Sequence, residues 1–253
     1  MAAQPPEKPA LGGPSVPDRV AHTLVQHDAR GEFIRVEGRL ETAALTILGA
    51  DQHQRDAISK AAADREGAIN MLLVDQIELV ERSVDAFRAG DANKELGLLR
   101  ELRAKIDPEN TRDPLLKPLS EVLAPEQHAE LSRVLDEYWK AWVDWELLGE
   151  SDRSEQARAR TQGRLVLKLF QEEVRQAYDR TLRPYRDRLE RIDFIAEPTP
   201  EQRTQIRTAM IDFIRQTRLQ PSIAERRRAA QRIYAALDET RRLRLLDAFI
   251  FDN

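Results

Sequence analysis

The sequence predicts an all-α protein, long antiparallel helical hairpins gathered into a bundle, in two related helical halves. Apolar residues recur at steps of three, four and seven over most of the chain, and no stretch alternates with period two for long enough to read as a strand. Of 253 residues, 33% are charged and only 10 are glycine, a profile of long solvated helices and not of a sheet with many turns. One short helix-start pattern then recurs along the chain, which suggests two comparable units.

The expected organisation is a Pro-rich leader over 1–17, a helical domain over 18–149 and a second helical unit over 150–253. The leader holds Pro5, Pro6, Pro9, Pro14, Pro17 and Gly12-Gly13, a composition that favours a disordered or extended chain. Residues 18–47, with Val20, Leu24, Phe33, Ile34, Leu40 and Leu45, fit one or two short helices broken around Gly31 or Gly38. From Asp51 to Ala89 the stripe Ile58, Ala62, Ile69, Leu73, Ile77, Val80, Val84, Phe87 predicts one long helix that Gly90 stops. Asp91 can cap the next, which carries Leu98, Leu99, Leu102 and Ile106 and ends at Asp107-Pro108. A short helix over 114–123 precedes one that starts near Pro125 and uses Leu131, Val134, Leu135, Tyr138, Trp142 and Trp145. Helical periodicity then runs from about Arg153 to Ile195, where Pro184 predicts a kink or a split. After Pro198 a helix carries Ile206, Met210, Phe213 and Ile214, and Pro221 restarts the chain. The last segments carry Ile223, Ala230, Ile233 and Leu237, then Leu243, Leu246, Phe249 and Ile250.

The charge is uneven. Residues 1–150 carry 18 basic and 28 acidic side chains, residues 151–253 carry 22 and 16, for nets of −10 and +6. Such asymmetry suits head-to-tail association or two faces for different partners, or it is simply a pair of well-solvated halves. The chain has no cysteine, which excludes a disulfide framework, a Cys-based zinc site and a Cys nucleophile. No apolar run is long enough for a membrane span. Met1-Ala2-Ala3-Gln4-Pro5-Pro6 is followed by no apolar core segment, so the expected location is the periplasm after loss of an export signal, or else the cytoplasm. Without a Gly-rich phosphate loop, a nucleophile elbow or a His-Glu-x-x-His pair, no enzyme activity and no cofactor are expected.

The recurring pattern reads Leu48-Gly49-Ala50-Asp51-Gln52, Leu123-Ala124-Pro125-Glu126-Gln127 and Pro198-Thr199-Pro200-Glu201-Gln202, with Leu237-Asp238-Glu239-Thr240-Arg241 as a degenerate fourth copy. Gln52, Gln127 and Gln202 are 75 residues apart each time. In the third copy Thr199 is the expected N-cap, Pro200 the first helical residue and Gln202 the third, able to reach back to the cap amide. The second copy keeps Pro125 and Gln127 but has Ala124 at the cap, the first offers Gly49, and the fourth offers Asp238.

A Leu-Thr-x-x-Gln-like signature repeated at helix starts resembles the Spy/CpxP family of periplasmic proteins and the related helical-hairpin proteins of heavy-metal resistance and sensing. Residues 48–148 look most like one such unit, and Gln202 to Phe249 like a compressed second one. Members of that family are small all-helical proteins, typically cradle-shaped dimers, among them an ATP-independent chaperone and an envelope-stress protein. The resemblance therefore implies an exported, non-catalytic protein that binds unfolded or partner proteins, or a second copy of itself, on amphipathic helices. A metal or stress sensor signalling to a membrane partner, and a helical adaptor, are the alternatives.

Candidate contact residues follow from surface character. Trp139, Trp142 and Trp145 make up all the tryptophan of the chain, and with Tyr138 they form either a helix–helix core or an exposed client patch, which their exposure distinguishes. Phe213 and the run Arg226, Arg227, Arg228 are the other candidates. Three consecutive arginines fan out around a helix, few aromatics are interleaved and the pI is 5.8, so no nucleic-acid binding is expected. No metal site is expected either. His53 and His128, each just after a motif glutamine, are the weak candidates should their helix starts meet.

Overall fold

Asp28 organises the first element. Its carboxylate accepts from the amides of Arg30 and Glu32 at 2.8 Å, and Gly31 takes a φ of +81° that a side chain would resist. The result is a small antiparallel hairpin of β1 (Gln26–His27) and β2 (Phe33–Ile34) where helix was expected; it is too short to leave a period-two signal. The computed structural model describes residues 23–251. The expected leader and Val20 lie outside the described residues, as do the side chains of Phe249 and Ile250.

The rest of the described chain is helical: α1 (Leu40–Ile47), α2 (Gln52–Asp75), α3 (Ile77–Arg88), α4 (Ala92–Ile106), α5 (Leu116–Leu119), α6 (Pro125–Glu146), α7 (Glu155–Thr181), α8 (Arg183–Ala196), α9 (Pro200–Thr217), α10 (Ile223–Ala236) and α11 (Glu239–Phe251). The protein is an all-α bundle, as its periodicity predicts. Pro184 splits the long segment at Leu182, and occupies the first turn of α8, where its missing N–H is harmless. The expected continuous helix over 51–89 is instead two, separated at Gln76 (φ −115°, ψ 32°), with no proline or glycine nearby to announce it.

All four copies of the repeat lie at helix starts, but the expected side-chain cap forms only at the third and fourth. Thr199 accepts from the Gln202 amide at 3.3 Å while Gln202 accepts from the Thr199 amide at 3.0 Å, a full capping box. Ala124 has no oxygen to offer, so only Gln127 reaches back, at 3.1 Å. Asp238 caps α11 through the Arg241 amide at 3.0 Å. The first copy differs: Gly49, at φ +61°, closes the end of α1, where the Ala50 amide donates to Leu45 O. The cap of α2 is Asp51, and its box partner is Gln54, not Gln52, which bonds Asp56 one turn on.

The caps also tie helix starts together. Gln54 Nε2 donates to Gln127 Oε1 at 2.7 Å, joining the starts of α2 and α6, and Gln202 Nε2 donates to Asp238 at 3.2 Å, joining those of α9 and α11. The Arg241 amide, followed by the Arg241 side chain and Gln202, holds the Asp238 carboxyl down to about 2.

Apolar side chains gather into two cores that do not follow the expected boundary at 149/150. One contains Leu24 to Ile58 and Leu115 to Val166; the other contains Ile69 to Leu102 and Leu167 to Leu245. Helices α2 and α7 pack against each other and run through both, so each half of the sequence contributes to each core. The charge asymmetry is likewise met within one molecule. Arg180 pairs with Glu66, Arg186 with Asp85, Arg207 with Glu81, Arg215 with Glu78 and Arg218 with Asp75, basic residues of the second half on acidic ones of the first. Each exposed pair contributes little, but together they give the two halves complementary faces.

Candidate functional site

Helices α8, α9, α10 and α11 enclose an open apolar groove of about 450 Å³. The turn that makes it possible reverses the chain between α9 and α10 through Arg218 and Leu219, both at positive φ, and Ser222 and Glu225 then start α10 with another capping box. The α9–α11 clasp fixes one end, reinforced where Arg241 Nε donates to Glu197 O at 2.9 Å and Arg244 pairs with Glu197 at 2.7 Å.

Ile192 and Ile195 of α8, Met210 and Phe213 of α9, Ile233 of α10, and Leu245 and Leu246 of α11 line the groove. Ala229, buried, and Ala230, exposed, contribute the smallest side chains to its lining, so a larger residue at 230 adds bulk at the groove. Arg188, Arg191 and Arg226 line the groove too, and no carboxylate does. The apolar surface continues outward on α10, where Ile223 is 70% exposed one turn before Arg226, and Leu246 on α11 is 43% exposed. Exposed aliphatic side chains beside a cationic rim make a surface suited to apolar segments of negative character.

A second cleft, of about 180 Å³, lies where the two cores meet, lined by charged side chains as well as apolar ones. Arg65, with a side chain 10% exposed, donates to both oxygens of Asp107 at 2.9 and 3.1 Å and to Glu173 at 2.9 Å. Burial opposes the charged guanidinium, yet the bonds from Glu173 and Asp107 outweigh it and raise its pKa. Arg39 pairs with Glu173, Arg35 with Glu172, and Arg112 with Asp113 and Asp136. These charges satisfy one another, so the cleft serves as a structural joint between α2, α4 and α7.

Glu41, beside this joint, is buried and accepts from the Leu115 amide at 3.2 Å. Desolvation, helped by the nearby Asp113 charge, raises its pKa above the ordinary carboxylate value. The unfolded chain ionises this group first, so folding loses stability as pH climbs from the ordinary value of 4.5 toward the raised one. Glu41→Gln, which keeps the acceptor oxygen, should raise the urea midpoint at pH 7 and leave it nearly unchanged at pH 4. An equal shift at both pH values would show that Glu41 is not titrating in this way.

Trp139 and Trp142 belong to the core, the helix–helix reading of the two. Trp139 is 2% exposed and Trp142 3%; their rings stack at 5.4 Å, and Trp139 Nε1 donates to Asp113 at 2.9 Å. Tyr138 and Phe33 close the cluster, with ring centroids 5.2 Å apart, and Trp145 is half-buried. Of the remaining candidates, Phe213 and Arg226 come together at the groove, while Arg227 and Arg228 are exposed and do not line it. His53 is exposed and His128 half-buried; their helix starts do meet, but among the described residues no three His, Asp or Glu side chains converge as metal ligands. Sequence reading missed Arg188, Arg191, Ile195 and the role of Ala229-Ala230. The same helix also carries Ala224 and the pair Ala235-Ala236, so Ala229-Ala230 gave no signal in the sequence that would mark a gap in packing.

No protein-family model matches the chain, and no curated protein or solved structure matches it significantly.

Proposed function

We propose that this protein is a passive, nucleotide-independent binder of other proteins, chaperone-like in action and exported, in the manner of the Spy/CpxP-like proteins that its helix-start repeat resembles. The observation that carries the reading is the α8–α11 groove, an apolar cavity with arginines at its rim and exposed Ile223 and Leu246 beside it. Binding there needs no chemistry: apolar contact supplies affinity, and the rim selects for negative character and speeds encounter. Two of the repeat's glutamines, Gln127 and Gln202, each join one helix start to another, Gln127 to Gln54 and Gln202 to Asp238, which supports the resemblance.

Light scattering of a denatured, aggregation-prone client, without ATP, tests this. Suppression is expected near stoichiometric ratio, and Ala230→Trp should remove most of it while leaving far-ultraviolet circular dichroism unchanged. Failure to suppress aggregation of several unrelated clients would refute the proposal.

A further inference from the structure

We infer that the preferred occupant of the α8–α11 groove is an acidic, amphipathic α-helix of another protein, bound as a helix and not as an extended chain. This rests on the reading that the groove takes protein segments.

The form of the occupant follows from what the walls lack. Ile192, Ile195, Met210, Phe213, Ala230 and Leu246 present aliphatic, thioether or aromatic surface. The helices that carry them spend their backbone groups on their own ladders. Apart from the three guanidinium groups and the Tyr234 hydroxyl, no lining side chain can bond a peptide group. An extended segment pressed into such a wall would bury its amides and carbonyls unpaired. Extended ligands are instead taken up where a sheet edge offers partners, and the described sheet is the two-residue-strand hairpin β1–β2, whose Phe33 packs on the other core. A helix brings its hydrogen bonds already made and offers apolar anchors at i, i+3, i+4 and i+7 to a trough of this kind.

The charge of the occupant follows from the rim. Arg188, Arg191 and Arg226 come from α8 and α10, so cationic groups stand on two of the enclosing helices, with no carboxylate among the lining residues. Arg188 and Arg226 are not among the arginines that join the two halves by ion pairs. Asp or Glu beside the apolar anchors would meet these groups, and a basic helix would be repelled.

The test uses the full chain and three labelled peptides of about 18 residues, long enough to be helical. One is a Leu/Glu amphipathic helix, one has the same composition scrambled so that no apolar face forms, and one has its Glu replaced by Lys. Fluorescence anisotropy should show the acidic helix binding at least tenfold more tightly than either of the others. Ala230→Trp should abolish that binding, and Arg226→Glu with Arg188→Glu should reverse the preference toward the Lys peptide. Equal binding of the scrambled peptide would overturn the helical form, and equal binding of the Lys peptide would overturn the acidic preference. No peptide binding with intact, Ala230-sensitive suppression of aggregation would overturn this inference and leave the proposed function standing. Loss of both would remove both. A dimer of the free protein that Ala230→Trp dissolves would also overturn it, because the groove would then hold a second copy.

Discussion

Replacing Arg65 with Ala should destabilise the protein by about 3–5 kcal/mol, the usual cost of removing one partner from a buried ion cluster. The guanidinium stands between Asp107, itself 9% exposed, and Glu173, and bonds both. Without it two carboxylates remain in a cleft that water reaches poorly, and α2 loses its link to the end of α4 and to α7. Urea denaturation at pH 7 measures the effect. A replacement of Arg65, Asp107 and Glu173 together by apolar residues of similar size should recover much of the loss, since the penalty comes from the abandoned charges more than from the missing attraction. A loss under about 1 kcal/mol for Arg65→Ala would mean that the cleft is solvated like a surface site.

Trp139→Ala should cost a similar amount, about 3–5 kcal/mol, by opening a cavity in a close-packed aromatic cluster. It removes the stack on Trp142, the Nε1 bond to Asp113 and the face over which the Arg112 guanidinium sits at 5.6 Å. This variant also separates stability from function. At a temperature where it remains folded, its suppression of client aggregation should equal that of the parent, because Trp139 is in the other core from the groove. A selective loss of client binding in folded Trp139→Ala protein would return the tryptophans to the binding surface.

Much of the fold was legible because helix starts are local. Thr199-Pro200-Glu201-Gln202 and Asp91 contain within a few residues both the orphan amides and the oxygens that satisfy them. The same locality explains the misplaced first cap: Gly49 and Asp51 are two residues apart, and which of them ends α1 and which begins α2 depends on where α1 stops. Periodicity reports that a residue faces inward, not what it faces. Ile58 and Ile69 lie on one predicted stripe of α2 yet enter different cores, and the break at Gln76 follows from packing with no breaker residue to signal it. For the same reason Trp139 and Trp142 were open to two readings until their neighbours were known. The groove was the least legible feature, since it consists of space left beside Ala229 and Ala230, and absence of volume has no periodicity. Phe213 and Arg226 were nevertheless within reach, one from its stripe and the other from the arginine run.

Photo-crosslinking tests the central claim most directly. A photoreactive side chain is placed at position 223, exposed beside the groove, in one variant and, for comparison, at the exposed position 126 at the start of α6 in another. Each is illuminated with a denatured client present. Strong client crosslinks from 223 and few from 126 are the predicted result; equal labelling, or labelling confined to 126, would contradict the assignment of the groove as the protein-binding site.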